Sequence, residues 1–506
     1  MAQFEENCEI SKSNELGRFL IAKRDLARGQ LVLVDQPFAI GPYWDSEIVC
    51  LNCFRNSCTI CRKCRRAPLC YECVGHNESE CDFYQDSNLD INFLFNHFNV
   101  VTVVRCLLLF PNNRPKFDEM MRMEAHLEAR RGSEIWNIHE QCVVRPLLES
   151  SAFQKHTDLD LTGELIQRIC GILDVNAFEI RANVDNQGIN YLARALYPKT
   201  ALMTHNCVSN TLISVDGQYN VKVYATVPVS KGDLLYYNYT RSLFGTFERR
   251  AHLRRGKYFL CSCARCNDPT ELGSHLSSVQ CTACEDGLCS YYTKDTKWQC
   301  SKCGKQIDRD YVKQAFTSAR KDAMTCSSDI DDLERIISRH SKTLNPHNSL
   351  VLEMKQTLAG ELRNLCQSSH PVDIPKQILV RKLELCGEML QILRVLEPGI
   401  SRLTGIALYE HNMALWYLGK HDFESKSISC GDLLHQLVDA ENGLKESISM
   451  LLFDHPTTPE GQLSKRAMCE LKELREEISQ VKALVEDART AKATTKCSKK
   501  KMSKQK

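Results

Sequence analysis

The chain has 506 residues, a formal net charge of +2, and 43% hydrophobic and 25% charged residues. This composition is typical of a folded protein of about two to four domains and excludes a wholly disordered chain. The N-terminal "MAQFEENCEI" lacks the basic start and apolar core of a secretory signal. We therefore expect a protein of the cytoplasm and nucleus whose 27 cysteines stay reduced.

Two further features of the whole chain limit its partners. The longest apolar run, residues 100–110, is interrupted by Arg105 and is shorter than the roughly 20 residues that cross a bilayer, which predicts a buried helix and no membrane partner. The basic tail after Asp487 holds eight Lys or Arg and no acid, so the remaining residues carry about −6. This charge suits a cationic peptide and disfavours direct nucleic-acid binding by the folded part.

The first elements along the chain are strands and then a cysteine-rich segment. Residues 17–45 alternate apolar runs with Gly and Pro turn signals, which predicts a small meander of strands. The next segment carries eight soft ligands at zinc-like spacings: Cys50, Cys53, Cys61, Cys64, Cys70, Cys73, His76 and Cys81. Eight ligands are enough for two tetrahedral zinc sites. Cys58, three residues before Cys61, leaves one alternative pairing open.

Helical and strand patterns alternate in the following residues. Apolar residues recur at helical intervals from about 88 to 182, and a strand pattern returns from 184 to 240. Cys261, Cys263 and Cys266 then suggest a further zinc site that lacks one ligand. The nearest unassigned cysteine upstream is Cys207, although spacing alone does not establish that pairing.

The last third of the chain begins with a second kind of zinc motif. Cys281, Cys284, Cys300 and Cys303 have the spacing of a zinc ribbon, with a small hairpin near Trp298 between the two cysteine pairs. Cys289 is left over and is interpreted as a free thiol. Beyond residue 310 the pattern is helical almost throughout, as in an array of antiparallel helix pairs that either supports the rest of the protein or binds other proteins. The basic tail is predicted to be disordered.

Several of these pieces occur in a recognisable order. Gly17-Arg18, the cysteine-histidine finger, "ALYPKTALMTHNCVSN", "GDLLYYNYT" and "YFLCSCARC" follow one another as they do in the SET-MYND (SMYD) lysine methyltransferases, and the chain resembles that family. The stretches "ICGILDVNAFEI", "GTFERRAHL" and "CNDPTELG" are most similar to its arthropod, SmydA-type branch. The resemblance implies an α+β fold: a SET β-fold split by a MYND finger and a helical insertion, a post-SET zinc site and a C-terminal all-helical, tetratricopeptide-like domain.

The resemblance also implies domain boundaries. These are the SET N-terminal part (1–48), the MYND finger (50–81), the helical insertion and SET linker (82–182), the SET C-terminal catalytic part (183–245), the post-SET segment (246–275), the zinc-ribbon-like segment (276–310), the helical domain (311–487) and the basic tail (488–506).

The resemblance assigns roles to individual residues. Tyr239 in "YNYT" is expected to be the catalytic tyrosine, and Cys207 the fourth ligand of the post-SET zinc, which brings the expected total to about four zinc ions. The residues expected to bind S-adenosylmethionine are Leu16, Gly17, Arg18, His126, Asn176, Thr204, His205, Tyr239 and Phe259.

The implied activity is S-adenosylmethionine-dependent N-methylation of a lysine in a histone or another protein. Such a reaction requires a neutral amine, and because a free lysine has a pKa near 10.4, an apolar channel that desolvates the ammonium helps to supply it. The alternative is a weakly active or inactive adaptor that binds partners through its helical domain and its MYND finger, which takes proline-rich peptides in relatives.

The sequence departs from the family pattern at four places. Phe19 replaces the second glycine of the cofactor loop, Thr204 replaces an asparagine, and Lys257 replaces a post-SET tyrosine, with Tyr258 one place along. Either the register shifts at Lys257 or the channel loses an aromatic wall. The last four ligands of the finger are also more closely spaced than in the family, so a helical turn is expected to be missing there.

Overall fold

The computed structural model describes residues 2–87, 89–150, 152–153, 158–181, 192–292, 297–325, 328–368 and 373–502. These residues form two compact units. The first consists of residues 1–205, 210–237 and 251–260, and the second of residues 206–209, 238–250 and 261–506. Predictions for residues 182–191, at the boundary of the helical insertion, lie outside the described residues. Within the described ranges, no helix combines the length and apolarity that a membrane span requires.

Short strands of the first unit build its sheets. They are β1 (Cys8–Ser13), β2 (Gly17–Ala22), β3 (Leu31–Asp35), β4 (Ala39–Pro42), β5 (Thr59–Ile60), β6 (Pro68–Leu69), β7 (Phe178–Arg181), β8 (Leu192–Leu196), β9 (Thr204–His205), β10 (Thr211–Val215), β11 (Val221–Ala225) and β12 (Tyr236–Tyr237). Strands β1 and β2 form an antiparallel hairpin, and the orders β10-β11-β3 and β4-β8-β7 form two three-stranded sheets. The predicted strands near both ends of the unit are confirmed, and β7 is an additional strand inside the segment predicted to be helical.

Helices of the first unit surround a shared core. They are α1 (Ala2–Asn7), α2 (Glu78–Asp86), α3 (Phe93–Asn96), α4 (Val101–Leu107), α5 (Leu109–Asn112), α6 (Arg114–Met120), α7 (Leu127–Arg130), α8 (Glu134–His139), α9 (Arg145–Glu149) and α10 (Gly163–Asn176). The apolar run at 100–110 is buried helix, as predicted, and it is divided between α4 and α5. Helices α4 and α10 and the finger contribute to one hydrophobic cluster, so the finger shares its core with the helical insertion.

The second unit combines a small sheet with a long helical region. Its elements are α11 (Thr246–Gly256, whose last residues belong to the first unit), α12 (Ala264–Asn267), β13 (Val279–Gln280), β14 (Leu288–Tyr292), β15 (Lys297–Cys300), β16 (Gln306–Ile307), α13 (Arg309–Thr325), α14 (Ile330–Ser341), α15 (Ser349–Ser368), α16 (Lys376–Leu396), α17 (Arg402–Glu424), α18 (Cys430–Leu451) and α19 (Pro459–Met502). Strands β13 to β16 form one antiparallel sheet in chain order.

The apolar faces predicted for the C-terminal helices are buried. Trp298 of the small sheet shares a core with Ala319, Ile337 and Leu358 of the first helices, and α17, α18 and α19 share another. The expected α+β architecture with an all-helical C-terminal region is therefore confirmed.

The prediction of a disordered tail is wrong for residues 488–502, which continue α19. The segment contains Ala, Lys and Arg, which favour helix, and no Gly or Pro interrupts the chain after Gly461. Residues 503–506 lie outside the described part.

Candidate cofactor site and metal centres

The predicted cofactor loop is the turn of the β1–β2 hairpin in the first unit. Gly17 has φ +67°, and a Cβ there would meet no atom within 4 Å, so glycine is favoured by the left-handed backbone and not by crowding. Leu16 is exposed, and its N–H donates to Ser13 Oγ at 3.0 Å. Phe19 lies in regular strand register opposite Ser11, so this position has no conformational need for the second glycine of the family.

Arg18 connects the hairpin to the segment that carries His126. Its guanidinium donates to the Arg122 carbonyl at 3.3 Å. The Glu124 carboxylate then accepts from the His126 N–H at 2.7 Å and holds a turn in which His126 has φ +48°. Asn176, at the end of α10, donates its Nδ2 to the Glu124 carbonyl at 2.8 Å. Three segments that are distant in sequence are thereby joined around His126.

Asn176 uses its amide nitrogen within the protein. Nδ2 donates to the Ile172 carbonyl at 2.9 Å as well as to the Glu124 carbonyl. A side-chain amide has two N–H groups, so both are used within the protein. The carbonyl oxygen Oδ1 is the acceptor that remains to face a ligand.

Lys257 and Tyr258 lie where the sequence departs from the family pattern, and their side chains make different contacts. Lys257 Nζ donates to the Val175 carbonyl at 2.5 Å, whereas the Tyr258 ring packs on the His126 ring with centroids 4.9 Å apart. Tyr258 has φ +61°, a conformation that turns its side chain away from the regular path. Tyr258, one position after Lys257, is therefore the aromatic residue that contacts the predicted cofactor residue His126.

Burial sets the charge states of two of these groups. Desolvation lowers the pKa of Lys257 to about 8, although the nearby Asp174 carboxylate opposes the change. Burial also lowers the pKa of His126, with Glu124 acting in the opposite direction. His126 is therefore neutral near pH 7, and Lys257 is a half-buried, mostly protonated amine.

Thr204 and His205 form β9, which pairs in parallel with β12. The Thr204 N–H donates to the Leu235 carbonyl at 3.1 Å. Its hydroxyl Oγ1 is buried and has no hydrogen-bond partner among the described residues, a state that costs about 1–3 kcal/mol. The His205 ring lies 5.8 Å from the Phe259 ring. An unpaired buried hydroxyl is an observation that a bound polar ligand would explain.

Eight of the nine predicted cofactor residues lie in the first unit, and the contacts link them in two groups that meet at the neighbouring residues Tyr258 and Phe259. The hairpin turn reaches the His126 turn, which reaches the end of α10 and Tyr258, and Phe259 reaches His205. The linked residues include aromatic rings and the Asn176 amide, and the unpaired Thr204 hydroxyl lies one residue before His205. Such a set fits a ligand that has a flat ring and polar groups.

Tyr239, the ninth residue, belongs to the second unit and follows β12 by two positions. It is half-buried. Asn238 Oδ1 accepts from the Thr240 N–H at 2.9 Å, and Asn238 Nδ2 donates to Ser242 Oγ at 3.1 Å. The backbone of Tyr239 is thus held inside a turn closed by the preceding asparagine.

The second unit also contains the predicted post-SET cluster. The sulfur atoms of Cys207, Cys261, Cys263 and Cys266 lie within 4.8 Å of one another, with Cys207 at 3.9 Å from Cys261 and 3.5 Å from Cys266. Tetrahedral zinc with Zn–S bonds of about 2.3 Å places sulfur atoms about 3.8 Å apart. The structure therefore supplies Cys207 as the fourth thiol of this set.

Buried charges surround that cluster. Arg249 is fully buried and donates to Cys207 Sγ at 3.2 Å and to Cys266 Sγ at 3.5 Å. It also donates to Glu271 Oε2 at 2.7 Å, and Arg265 lies 3.4 Å from the same oxygen. Four thiolates around Zn²⁺ carry a net charge of about −2, which the two guanidinium groups offset in part. Sequence reasoning missed Arg249 and Glu271, and the only signals were the family-like stretches "GTFERRAHL" and "CNDPTELG" that contain them.

The finger holds two ligand sets in the first unit. One is Cys50, Cys53, Cys70 and Cys73, and the other is Cys61, Cys64, His76 and Cys81. Sulfur atoms are 3.6 Å apart between Cys53 and Cys70 and 3.8 Å apart between Cys61 and Cys81. Cys58 is exposed and belongs to neither set, which settles the alternative pairing.

Helix α2 carries the last ligand of the finger. Asn77 caps it by accepting from the Glu80 N–H at 3.0 Å, and Cys81 follows in the next turn. His76 Nε2 lies 3.4 Å from Cys64 Sγ, while His76 Nδ1 lies 3.0 Å from Glu80 Oε2. The closer spacing of these ligands is therefore compatible with a compact set.

Glu80 and Arg105 support His76 from behind. Both Glu80 oxygens accept from Arg105, at 3.0 and 2.8 Å. Arg105 on α4 also donates to the Ile40 carbonyl of β4 and to the Leu51 carbonyl of the finger, each at 2.6 Å. This arginine joins the finger to the sheet and the helical insertion. Sequence reasoning treated Arg105 only as an interruption in an apolar run.

The fourth cluster lies at one end of the small sheet of the second unit. Cys281 and Cys303 are 3.6 Å apart and Cys284 and Cys300 are 3.8 Å apart. A Cβ on Gly287 would lie 2.5 Å from Cys284 Sγ, so the cluster closes around a position that has no side chain. All four ligand sets match the chemistry of zinc, which prefers Cys₄ and Cys₃His.

Comparisons with known proteins agree with this geometry. No protein-family model matches the chain. The chain is 28% identical over 323 residues to the SET domain-containing protein SmydA-8, isoform A, of Drosophila melanogaster, a match covering 60% of this chain and 66% of the relative. It is 24% identical over 298 residues to the histone-lysine N-methyltransferase Smyd1 of Mus musculus, covering 52% and 56%.

A shorter match reaches higher identity. The chain is 32% identical over 83 residues to the N-lysine methyltransferase SMYD2-B of Danio rerio, which covers 16% of this chain and 19% of the relative. Each of these matches spans less than two thirds of the relative's length. Together with the mixed fold and the four cysteine-rich clusters, they show that the chain resembles SET-MYND proteins.

Proposed function

We propose that this protein is an S-adenosylmethionine-dependent protein-lysine N-methyltransferase. The observation that carries the proposal is the series of contacts in the first unit that joins the hairpin turn, His126, Asn176 and Tyr258, together with the ring contact between His205 and Phe259. The Thr204 hydroxyl, which has no partner among the described residues, lies one residue before His205. Relatives that are named as lysine methyltransferases support the reaction class.

The residues present fit the cofactor. Aromatic rings at Tyr258 and Phe259 offer surfaces for the adenine, and Thr204 Oγ1 and Asn176 Oδ1 offer partners for its polar groups. When bound, S-adenosylmethionine supplies an activated methyl group on a sulfonium. The turn glycine at Gly17 lets the backbone approach that ligand closely.

The remaining work falls to the protein chain. We assign to the Tyr239 hydroxyl the orientation of the substrate amine, which is positioning catalysis. The target lysine must lose its proton before it reacts, and an apolar channel that desolvates the ammonium lowers the pKa from about 10.4. The mildly acidic character of the chain before the tail suits a substrate peptide with basic residues.

A methyl-transfer assay tests the proposal. Zinc-loaded protein is incubated with methyl-labelled S-adenosylmethionine and a peptide array, and incorporation is compared between wild type, Tyr239→Phe and the matched control Tyr237→Phe. We expect label on lysine-containing peptides, a loss of at least about 100-fold in Tyr239→Phe, within the range of a positioned catalytic group, and a small change in Tyr237→Phe. Equal loss in both variants would contradict the role of Tyr239.

A second candidate is an adaptor that binds partners without methylating them. Lys257 favours it, because a half-buried ammonium two residues before Phe259 would repel a cationic sulfonium cofactor. The finger also exposes Tyr71, 84% accessible, and Val74, fully accessible, which would suit a proline-rich peptide. A folded, zinc-loaded protein that binds a proline-rich peptide but does not bind S-adenosylmethionine would favour the adaptor.

A further inference from the structure

The end of α10 holds one side of the turn that carries His126. Asn176 Nδ2 donates to the Glu124 carbonyl at 2.8 Å, two residues before His126. Ala125 lies against Gly171, where a Cβ would be 2.6 Å from the Ala125 carbonyl oxygen. Because glycine has no Cβ, the chain just before His126 can approach α10 this closely.

An ion pair holds the other side of the same turn. Arg130 ends α7, and its guanidinium donates to Asp174 Oδ2 at 2.7 Å. The side chain of Arg130 is 2% accessible and that of Asp174 is 23% accessible, so salt screens this pair little. Asp174 follows Gly171 by three positions and therefore lies on the same face of α10. His126 is thus placed between two contacts with one helix face.

The helix between these contacts is too short to be stable without them. Helix α7 has four residues, and isolated helices shorter than about 12 residues are marginal in water. Its first hydrogen bond runs from the Arg130 N–H to the His126 carbonyl at 3.0 Å. The residue that pairs with Asp174 therefore also closes the turn that orients His126.

A buried histidine fixes the side chain of Arg130 from a second direction. The guanidinium of Arg130 lies 3.1 Å from Nδ1 of His139, which is buried. Burial lowers the pKa of His139 to about 4, although the Asp174 carboxylate acts in the opposite direction. The imidazole is therefore neutral, and its Nδ1 accepts this hydrogen bond.

The same end of α10 also holds the segment that carries the second ring. Lys257 Nζ donates to the Val175 carbonyl at 2.5 Å. Tyr258 is the next residue, and its ring centroid lies 4.9 Å from that of His126. Both segments that contribute these rings are therefore attached to residues 171–176, and movement of either segment on α10 would change the spacing of the rings.

We propose that Asp174 and Arg130 are positioning residues of the cofactor site, which act by fixing the His126 turn on α10. The inference rests on the proposed function. The pair acts through His126, whose ring it places beside that of Tyr258. A misplacement of about 1 Å can cost on the order of 100-fold in the performance of a site, so breaking the pair should weaken cofactor binding beyond its effect on folding.

Calorimetric titration of S-adenosylmethionine into the zinc-loaded full chain tests the proposal. Asp174→Asn and Arg130→Met should bind at least about 10-fold more weakly than wild type, and Arg130→Lys, which keeps the charge, should lose less affinity than Arg130→Met. Gly171→Ala should weaken binding by a similar factor, because its Cβ would press on the Ala125 carbonyl.

Leu147→Ala is the matched control for stability. Leu147 on α9 is buried in the hydrophobic core of the same unit, so its truncation should lower the melting temperature and leave cofactor affinity unchanged. Affinities of Asp174→Asn and Gly171→Ala equal to that of wild type would overturn the proposal. An equally large loss of affinity in Leu147→Ala, at the same drop in melting temperature, would also overturn it.

Hydrogen exchange of the cofactor-free protein separates this inference from the proposed function. Wild type that does not bind S-adenosylmethionine would contradict the proposed function, whereas amide exchange reports on the His126 turn in either case. Relative to the amides of α4, those of residues 125–131 should exchange at least about 10-fold faster in Asp174→Asn than in wild type, with no such change in Leu147→Ala. Equal relative exchange in Asp174→Asn and wild type would contradict the positioning role.

Discussion

Replacing Arg105 by methionine should weaken the finger and the unit around it together. Arg105 donates to both oxygens of the Glu80 carboxylate, whose side chain is inaccessible to solvent, and to two backbone carbonyls in different elements. Burial alone would raise the pKa of Glu80. The charges and hydrogen bonds of Arg105 and His76 outweigh that effect and hold the pKa below its usual value. Methionine would leave this carboxylate buried without its counter-charge.

The magnitude follows from the kind of contact that is lost. Removing one partner of a buried ion pair costs about 3–5 kcal/mol, which lowers the melting temperature of a unit of this size by roughly 10 °C. His76 is a predicted ligand that Glu80 orients through Nδ1, and loss of such an orienting contact weakens metal binding by about 10–100-fold. We therefore expect a lower melting temperature and one zinc ion that is lost more readily.

A chelator competition on wild type, Arg105→Met, Glu80→Gln and the double variant measures this coupling. Because the double variant leaves no unpaired charge, its loss should be smaller than the sum of the single losses by at least about 1 kcal/mol. Arg114→Met is the matched control, because Arg114 forms an exposed pair with Asp118 that contributes little. Zinc affinity and melting temperature in Arg105→Met equal to those of Arg114→Met would refute the reasoning.

Three further predictions concern the two units separately. Gly287→Ala should cost one zinc ion, because its Cβ would lie 2.5 Å from a ligand sulfur, whereas Gly360→Ala, where no atom lies within 4 Å, should keep all ions by metal analysis. Lys257→Met should raise the free energy of unfolding by up to about 3 kcal/mol below pH 8, because the lowered pKa of Lys257 means that the folded protein disfavours its charged form. In thermal melts, the difference from wild type should shrink between pH 8 and pH 10.5. A difference that stays constant over this range would contradict desolvation of the ammonium as the cause. Thr204→Val should stabilise the cofactor-free protein, because it removes an unpaired buried hydroxyl. The same change should weaken cofactor binding about 10-fold in calorimetry. A lower melting temperature with unchanged cofactor binding would argue against that hydroxyl as a partner of the cofactor.

The metal sets were predictable because zinc imposes short, local spacings on its ligands. Thiols three residues apart at Cys281 and Cys284 or at Cys300 and Cys303 are visible in any sequence. Cys207 is different, since 54 residues separate it from Cys261. Its place in the chain made it only the nearest unassigned cysteine, and the family resemblance was needed to predict the pairing.

The supporting charges were not predictable in the same way. Arg105 lies 65 residues from Ile40 and 25 from Glu80, and Arg249 lies 22 residues from Glu271. Arg and Glu are common on protein surfaces, so the residue type alone does not indicate that these side chains form buried ion pairs. The prediction of secondary structure was wrong where the local composition was ambiguous, as in β7. Its residues "FEIR" follow a helix closely and form a strand because they pair with β8.

Binding of S-adenosylmethionine to the zinc-loaded protein is the most direct test of the central claim. Isothermal titration calorimetry on wild type should show saturable binding, retained in Tyr237→Phe. If a folded, zinc-loaded protein gives no binding heat at any point of the titration, the result would contradict the proposal that the protein is a methyltransferase.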